Sequence, residues 1–239
     1  MFGFEEYELY GEQFSIEDTR EDLNRLVEYF RSLPYWEDAM KAFIVDYREL
    51  PFEVANTSMA FAVDENTPIG SLPDWLKQEA LGFVKKNWLT MAGRCVFPVY
   101  DVKGMVAGFI GWDPFVQPKY LDSKNYGYKA KQAMFYGMEK MPEYYTSKEK
   151  IIVTEGMMDT LYLRYQGFSA LASLGSYLTP YMVAILKRFG DRLIMIPDND
   201  DTGDKYVAQI KRVLPKAMVF QVAFGKDIEN CRKMEDHKY

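Results

Sequence analysis

Histidine and cysteine are almost missing from this chain of 239 residues, which has one histidine, His237, and two cysteines, Cys95 and Cys231. Two thiols cannot build a disulfide framework, and with a single imidazole they cannot close a four-ligand zinc ribbon. A serine–histidine or cysteine–histidine mechanism would depend on His237, close to the last residue, where chains fray. No apolar run reaches the ~18 residues that a membrane span needs. The opening stretch MFGFEEYELYGEQF is acidic and has no positive-then-apolar leader, so no secretory signal is expected. With 48% hydrophobic and 27% charged residues, the chain has an ordinary globular composition, long enough to bury a core. The expectation is a protein of a reducing compartment, with no membrane partner, whose chemistry rests on carboxylates, lysines and arginines.

Bases are scarce in the first third of the chain, and the charge is unevenly spread. Residues 1–80 hold 18 acids and 6 bases, whereas residues 81–239 hold 17 acids and 23 bases. Within 85–150 there are 11 bases against 6 acids. Phosphates respond to the local field, so the net charge of −6 does not exclude a polyanion, nor does the basic middle establish one. Tyr120, Tyr126, Tyr128 and Tyr136 alternate there with Lys119, Lys124, Lys129 and Lys131. That mixture suits stacking on single-stranded bases, though tyrosines pack equally well in a core.

Period and punctuation divide the chain. Ser15 to Asp18 resembles a capping box, and Leu23, Leu26, Val27 and Phe30 follow at helical spacing, predicting a helix over roughly 16–32. Residues 35–70 alternate short apolar pieces with turns, and Pro73 can open a helix reaching about Lys86. Cys95–Tyr100 and Met105–Trp112 flank Asp101-Val-Lys-Gly104, the pattern of a β-hairpin. Residues 113–150 form a lysine- and tyrosine-rich connector. From Ile151 strands alternate with helices: strands at 151–154, 168–173, 193–196 and 218–222, helices at 157–166, 179–189 and 202–214. Short connections between them imply a mostly parallel four-stranded sheet covered on both sides. The expected fold is an α+β N-terminal part followed by an α/β, Rossmann-like domain, divided as 1–90, 91–148 and 149–239.

In such sheets function gathers beyond the C-terminal ends of the strands, and acids stand there. Glu155 ends the first strand, with Asp159 one helical turn on. Asp198 and Asp200 end the third and point the same way if the chain is extended, while Asp201 is expected to cap the next helix. Asp227 and Glu229 follow the fourth. Carboxylates so gathered repel unless cations neutralise them, and oxygen-only ligands suit Mg²⁺ or Mn²⁺. Taken singly, each acid is as well explained by helix capping or a solvated loop.

Thr154-Glu-Gly-Met-Met-Asp159 with Asp198-Asn-Asp200-x-x-Gly203 resembles the two signature motifs of the TOPRIM domain, shared by DnaG-type primases, topoisomerases and some nucleases. The flanks select among them. Ala172-Ser-Leu-Gly175, Gly225-Lys-Asp-Ile-Glu229, Arg94-Cys-Val-Phe-Pro-Val-Tyr-Asp101 with Gly108-Phe-Ile-Gly111, Pro118-Lys-Tyr-Leu-Asp-Ser123 and Phe135-Tyr-Gly-Met138 are similar to segments of the DnaG-type primase RNA-polymerase core. The resemblance covers about residues 90–230 in order. It implies template-directed synthesis of short RNA primers on single-stranded DNA by metal-dependent nucleotidyl transfer. It makes Glu155, Asp198 and Asp200 the catalytic acids, and these with Asp159, Asp227 and Glu229 the ligands of Mg²⁺ or Mn²⁺. It assigns nucleoside triphosphate or template contacts to Arg94, Lys119 and Lys131. It also implies a replicative helicase and a separate zinc-ribbon module as partners, in the cytoplasm of a bacterial cell, with a bacteriophage source equally in keeping.

Departures from the pattern are specific. Trp112 stands where the family carries an arginine after its Gly-Phe-Gly-Gly hairpin, so that contact is absent or replaced. Ile228 and Glu229 replace proline and aspartate. Two alternatives remain: a TOPRIM nuclease using the same acids, against which the hairpin and Pro-Lys-Tyr segment speak, and a non-catalytic nucleic-acid-binding subunit of a replication complex.

Overall fold

The computed structural model describes residues 16–78, 81–86, 88–123, 135–223 and 225–228. Helix α1 (Ile16–Arg31) forms where the period predicts it, burying Leu23, Leu26, Val27 and Phe30 along one face. Its expected cap, Ser15, lies outside the described residues. The turn-rich stretch that follows winds into α2 (Trp36–Met40), a π-helical segment (Lys41–Tyr47), α3 (Glu53–Thr57) and the short strand β1 (Phe61–Ala62).

The helix expected from Pro73 to Lys86 does not form. Pro73 opens only a 3₁₀ turn, Asp74–Lys77, and the chain then makes a small antiparallel pair, β2 (Val84–Lys85) and β3 (Trp88–Leu89). Burial explains the outcome. Leu72, Leu76, Leu81 and Phe83 enter one apolar cluster with α1. On an α-helix the spacing from Leu76 to Leu81 and from Leu81 to Phe83 would set neighbours ~140° and ~200° apart, on opposing faces. Gly82, at φ 59°, supplies the left-handed turn that brings them together.

The hairpin forms as read. β4 (Cys95–Tyr100) pairs with β5 (Val106–Trp112), and Asp101 closes the turn by accepting from the Lys103 and Met105 N–H groups. With β1 and β6 (Tyr120–Asp122) they make an antiparallel sheet of order β1-β4-β5-β6. The 113–150 connector supplies β6, a 3₁₀ turn at Met138–Lys140 and α4 (Met141–Thr146).

The remainder is the expected parallel sheet. β7 (Ile151–Thr154), β8 (Ala170–Ala172), β9 (Leu193–Ile196) and β10 (Met218–Val219) order as β10-β9-β7-β8, all pairs parallel. Between them run α5 (Met157–Tyr165), α6 (Pro180–Lys187) and α7 (Asp201–Val213). Gly167, at φ 86°, ends α5, with the Phe168 N–H reaching back to the Leu163 carbonyl. One apolar cluster runs from Met40 and Phe97 through Phe135 and Tyr144 to Met195 and Ile210, so the two sheets share a core. Among the described residues no helix is long and apolar enough to cross a membrane.

Candidate active site

β7 lies inside the parallel sheet, its four residues buried, and its last pair in register with β9 is Thr154 with Ile196. The two chains therefore leave the sheet side by side. Beyond β7 the backbone turns at Gly156 into α5, held by the Thr154 hydroxyl, which lies 2.7 Å from the Thr160 hydroxyl and 2.9 Å from the Gly156 carbonyl. Glu155 sits at that corner, and its Oε1 accepts the Asp198 N–H from beyond β9 at 2.9 Å.

Asp198 and Asp200 do point the same way, and what they share is a cation. Lys226 Nζ lies 3.3 Å from Asp198 Oδ2 and 3.0 Å from Asp200 Oδ2. The other oxygen of Asp200 accepts the Thr202 and Gly203 N–H groups at 3.0 and 2.8 Å. Asp200, not Asp201, is thus the N-cap of α7; Asp201 is already its first helical residue. Gly203 is required by the same turn, since a Cβ there would stand 1.8 Å from the Asp198 carbonyl oxygen.

Electrostatics follow from this packing. The Glu155 carboxyl is pushed up to about 7, first by burial and then by the charges of Asp198 and Asp200, against the pull of the Asp198 N–H. Asp198 is also raised, mainly by burial, with Lys226 opposing and Asp227 adding to the rise. Asp200 is held low, chiefly by the Gly203 N–H and by Lys226. The Lys226 ammonium is correspondingly strengthened, with the Asp200 hydrogen bond the largest cause.

The predicted acids do not all meet. Glu155, Asp198, Asp200 and Asp227 occupy one rim. Asp159 is buried in the first turn of α5, with Oδ2 against Gly156. Glu229 lies outside the described residues. Among the described residues no three acid, histidine or cysteine groups close on a single point as a metal cage. Lys226 fills the space between two of the acids, and Glu155 is engaged with a backbone N–H. Sequence reasoning gave Lys226 no role, although a lysine inside an otherwise acidic loop was a readable signal.

Of the basic residues, Arg94 is buried and donates to the Lys119 carbonyl at 3.1 Å and the Pro118 carbonyl at 3.0 Å. Gly111 leaves the space through which its stem passes. Lys119 enters β6 beside it, and Lys131 lies outside the described residues. Tyr136, a candidate for base stacking, is buried and bridges to Ala172, joining the two sheets; the core claims it. Tyr126 and Tyr128 lie outside the described residues, while Tyr120 is exposed. Trp112 is fully buried under the Arg48 guanidinium, 4.8 Å from the ring centre, so an arginine stands against that position from another segment. Cys95, Met157 and Met158 are core residues, and Cys231 and His237 lie outside the described residues.

Next to the rim, on the same edge of the sheet, Ser173, Gly175, Tyr177 and Thr179 line a pocket of about 510 Å³. Its floor is tied to β7 by the Ser173 N–H on the Thr154 carbonyl. Leu174 there adopts φ 57°, a costly conformation for a branched side chain that persists only where its surroundings impose it.

Comparison with known proteins agrees with the motifs. Residues 152–231 match the Toprim-like family. The DNA primase of Campylobacter jejuni is 30% identical over 172 residues, covering 71% of this chain and 25% of that protein. A solved DnaG catalytic core superposes with a TM-score of 0.75 at 21% identity, over 92% of this chain and 76% of that one. A DnaG primase catalytic domain bound to single-stranded DNA gives 0.72 at 22%, over 92% and 77%. The chain spans about a quarter of the length of the curated relatives it matches. It is similar in sequence to DnaG-type primases and has the fold of their catalytic core, with a Toprim-like domain at its C-terminal side.

Proposed function

We propose that this chain is the nucleotidyl-transfer core of a DNA primase. It joins a nucleoside triphosphate to the 3′-hydroxyl of another nucleotide on a single-stranded DNA template, releasing pyrophosphate. The observation that carries this reading is the convergence of Glu155, Asp198 and Asp200 at the adjacent ends of β7 and β9.

The donor set fits a divalent cation. The rim is oxygen-only, and Asp198 and Asp200 already direct one oxygen each at a single positive charge. Asp198, Asp200 and Glu155 would hold Mg²⁺ or Mn²⁺, with Asp227 and Asp159 in support and Glu229 assigned with them by motif. When bound, such an ion draws charge from the transferring phosphoryl group and the leaving oxygens.

The remaining work belongs to the chain. Glu155 stands at the reacting centre, where its carboxylate would either help hold the ion or accept the proton of the attacking hydroxyl. Lys119 meets nucleotide or template phosphates, and Arg94 holds its loop through two backbone carbonyls, so that the lysine is presented ready-placed. Lys131 adds a further basic contact. The pocket at Ser173–Thr179 is of a size to receive a nucleoside. The three stretches 1–90, 91–148 and 149–239 then divide the work into support, template path and catalysis. A zinc-ribbon module and a replicative helicase complete the machinery, in the cytoplasm of a bacterium or of a phage-infected cell.

The test is one incubation of labelled ATP and GTP with an end-labelled single-stranded template pool and Mg²⁺ or Mn²⁺, beside Glu155→Gln. Short labelled oligonucleotides made by the wild type and absent from the variant are expected. A shortened template without synthesis would overturn the reading in favour of a nuclease. Silence that persists with a zinc-ribbon module and helicase added would leave a binding subunit.

A further inference from the structure

The Lys226 ammonium occupies a particular place. Asp200 has two oxygens, and Oδ1 is committed to the first turn of α7 through the Thr202 and Gly203 N–H groups. Only Oδ2 is left for a ligand, and Oδ2 is the atom that Lys226 holds at 3.0 Å. The same ammonium reaches Asp198 Oδ2 at 3.3 Å. A Mg²⁺ bridging these two oxygens would sit ~2.1 Å from each, so an ammonium that bridges the same pair stands in the ion's place and repels it.

The lysine is placed there by its backbone. The Lys226 carbonyl accepts the Asn199 N–H at 2.5 Å, and the Gly225 carbonyl accepts the Asn199 side-chain amide at 3.3 Å. The loop after the fourth strand is therefore stapled to the residue between the two aspartates. Its side chain is 53% exposed, so the ammonium can leave for water without opening the core.

We propose that Lys226 is a built-in counter-ion that keeps Asp198 and Asp200 neutralised in the metal-free protein, and that a divalent cation must displace it to bind. The inference rests on the reading of these two aspartates as cation ligands and adds to it a competitor encoded in the same chain. The loop geometry sets the consequence: metal affinity is lower than the acids alone would give, and metal binding frees a lysine at the rim.

The test is calorimetric titration of the full chain with Mn²⁺ alone. Lys226→Met is expected to bind about fivefold more tightly than wild type, the scale of one exposed, charge-assisted pair. Lys226→Arg, which keeps the charge, should stay near wild type, as should Lys216→Met, which removes an exposed lysine elsewhere in the domain. Wild-type binding with Lys226→Met unchanged or weaker overturns the inference and leaves the ligand assignment standing. No Mn²⁺ binding by wild type or by Lys226→Met overturns the ligand assignment itself. Should Lys226→Met not fold, amine acylation of the wild type read by mass spectrometry decides. Labelling of Lys226 rises on adding Mn²⁺ if the ammonium is released, and an unchanged yield refutes the displacement.

Discussion

Glu155 and Asp198 are joined across the ends of two adjacent parallel strands, the Asp198 N–H donating to Glu155 Oε1 at 2.9 Å. One hydrogen bond thus fixes the corner of the first motif against the start of the second. It also sets the environment in which Glu155 titrates, half-buried and facing two further acids.

A pH dependence of stability follows. The Glu155 carboxyl is raised from 4.5 to about 7 in the folded protein. Its contribution to stability is therefore complete below pH ~4.5 and is lost as pH rises through 7. Because the group is only half-buried, solvent screening reduces the effect to the order of 1–2 kcal/mol. In chelator, Glu155→Gln should gain on wild type by about that amount between about pH 5 and pH 8. The shift of Asp198 is common to both proteins and largely cancels. Urea denaturation of the pair at both pH values measures it, and parallel stabilities would refute the raised carboxyl.

The two oxygens of Asp200 separate structure from chemistry. Asp200→Ala removes the cap of α7 and should cost about 1 kcal/mol, within the range for helix N-caps. Asp200→Asn retains an acceptor for Thr202 and Gly203 and should cost less, while losing Mn²⁺ affinity as fully as the alanine variant. Asp198→Asn should weaken Mn²⁺ binding with no loss of helix. Thermal melts and Mn²⁺ titrations of the three proteins check the pattern. Equal affinities for Asp200→Asn and wild type would take Asp200 out of the ligand set.

Gly203 is the least replaceable residue of the second motif. An added Cβ would meet the Asp198 carbonyl oxygen at 1.8 Å, and backbone, unlike the tip of a side chain, cannot yield cheaply. Gly203→Ala should destabilise by about 2 kcal/mol or more, as strained buried substitutions do, and displace Asp198 from Glu155. A melting temperature equal to wild type, with metal binding intact, would show that the turn is softer than its geometry.

The alternation of strand and helix from Ile151 onward was legible because buried parallel strands are short continuous apolar runs, and Gly167, Pro180 and Gly190 mark the ends of the helices between them. The acids at their ends were legible for the same reason: once the strands are placed, Glu155, Asp198 and Asp200 follow. What escaped depended on contacts distant in sequence. The stretch after Pro73 has helical propensity, but the cluster around Phe30 and Phe61 takes in Leu81 together with Leu76 and Phe83, and a helix would set Leu81 on the face opposite the other two. Tyr136 reads as a surface aromatic among lysines, and only the bridge to Ala172 explains its burial. Lys226 gains meaning once β10 returns beside β9 and lays the following loop against Asn199. Asp200 and Asp201 were equally good caps by type, and the extended φ of −145° at Asp200 decided between them.

Arg94 and Lys119 are adjacent in space but should fail differently. Arg94 is buried, with its guanidinium spent on the Pro118 and Lys119 carbonyls, so Arg94→Ala leaves two acceptors without their donor and an emptied volume beside Gly111. A loss of about 2–3 kcal/mol is expected, together with weaker nucleotide or template binding because the loop is no longer held. Lys119→Ala removes a side chain at the edge of the sheet and should leave stability within ~0.5 kcal/mol. Its effect should appear as a raised KM for nucleoside triphosphates or a weaker, less salt-dependent grip on single-stranded DNA. Denaturation curves and salt-dependent template binding of both variants distinguish the roles. Normal stability with abolished binding in Arg94→Ala would make that arginine a direct ligand, and an unchanged profile in Lys119→Ala would remove the lysine from the site.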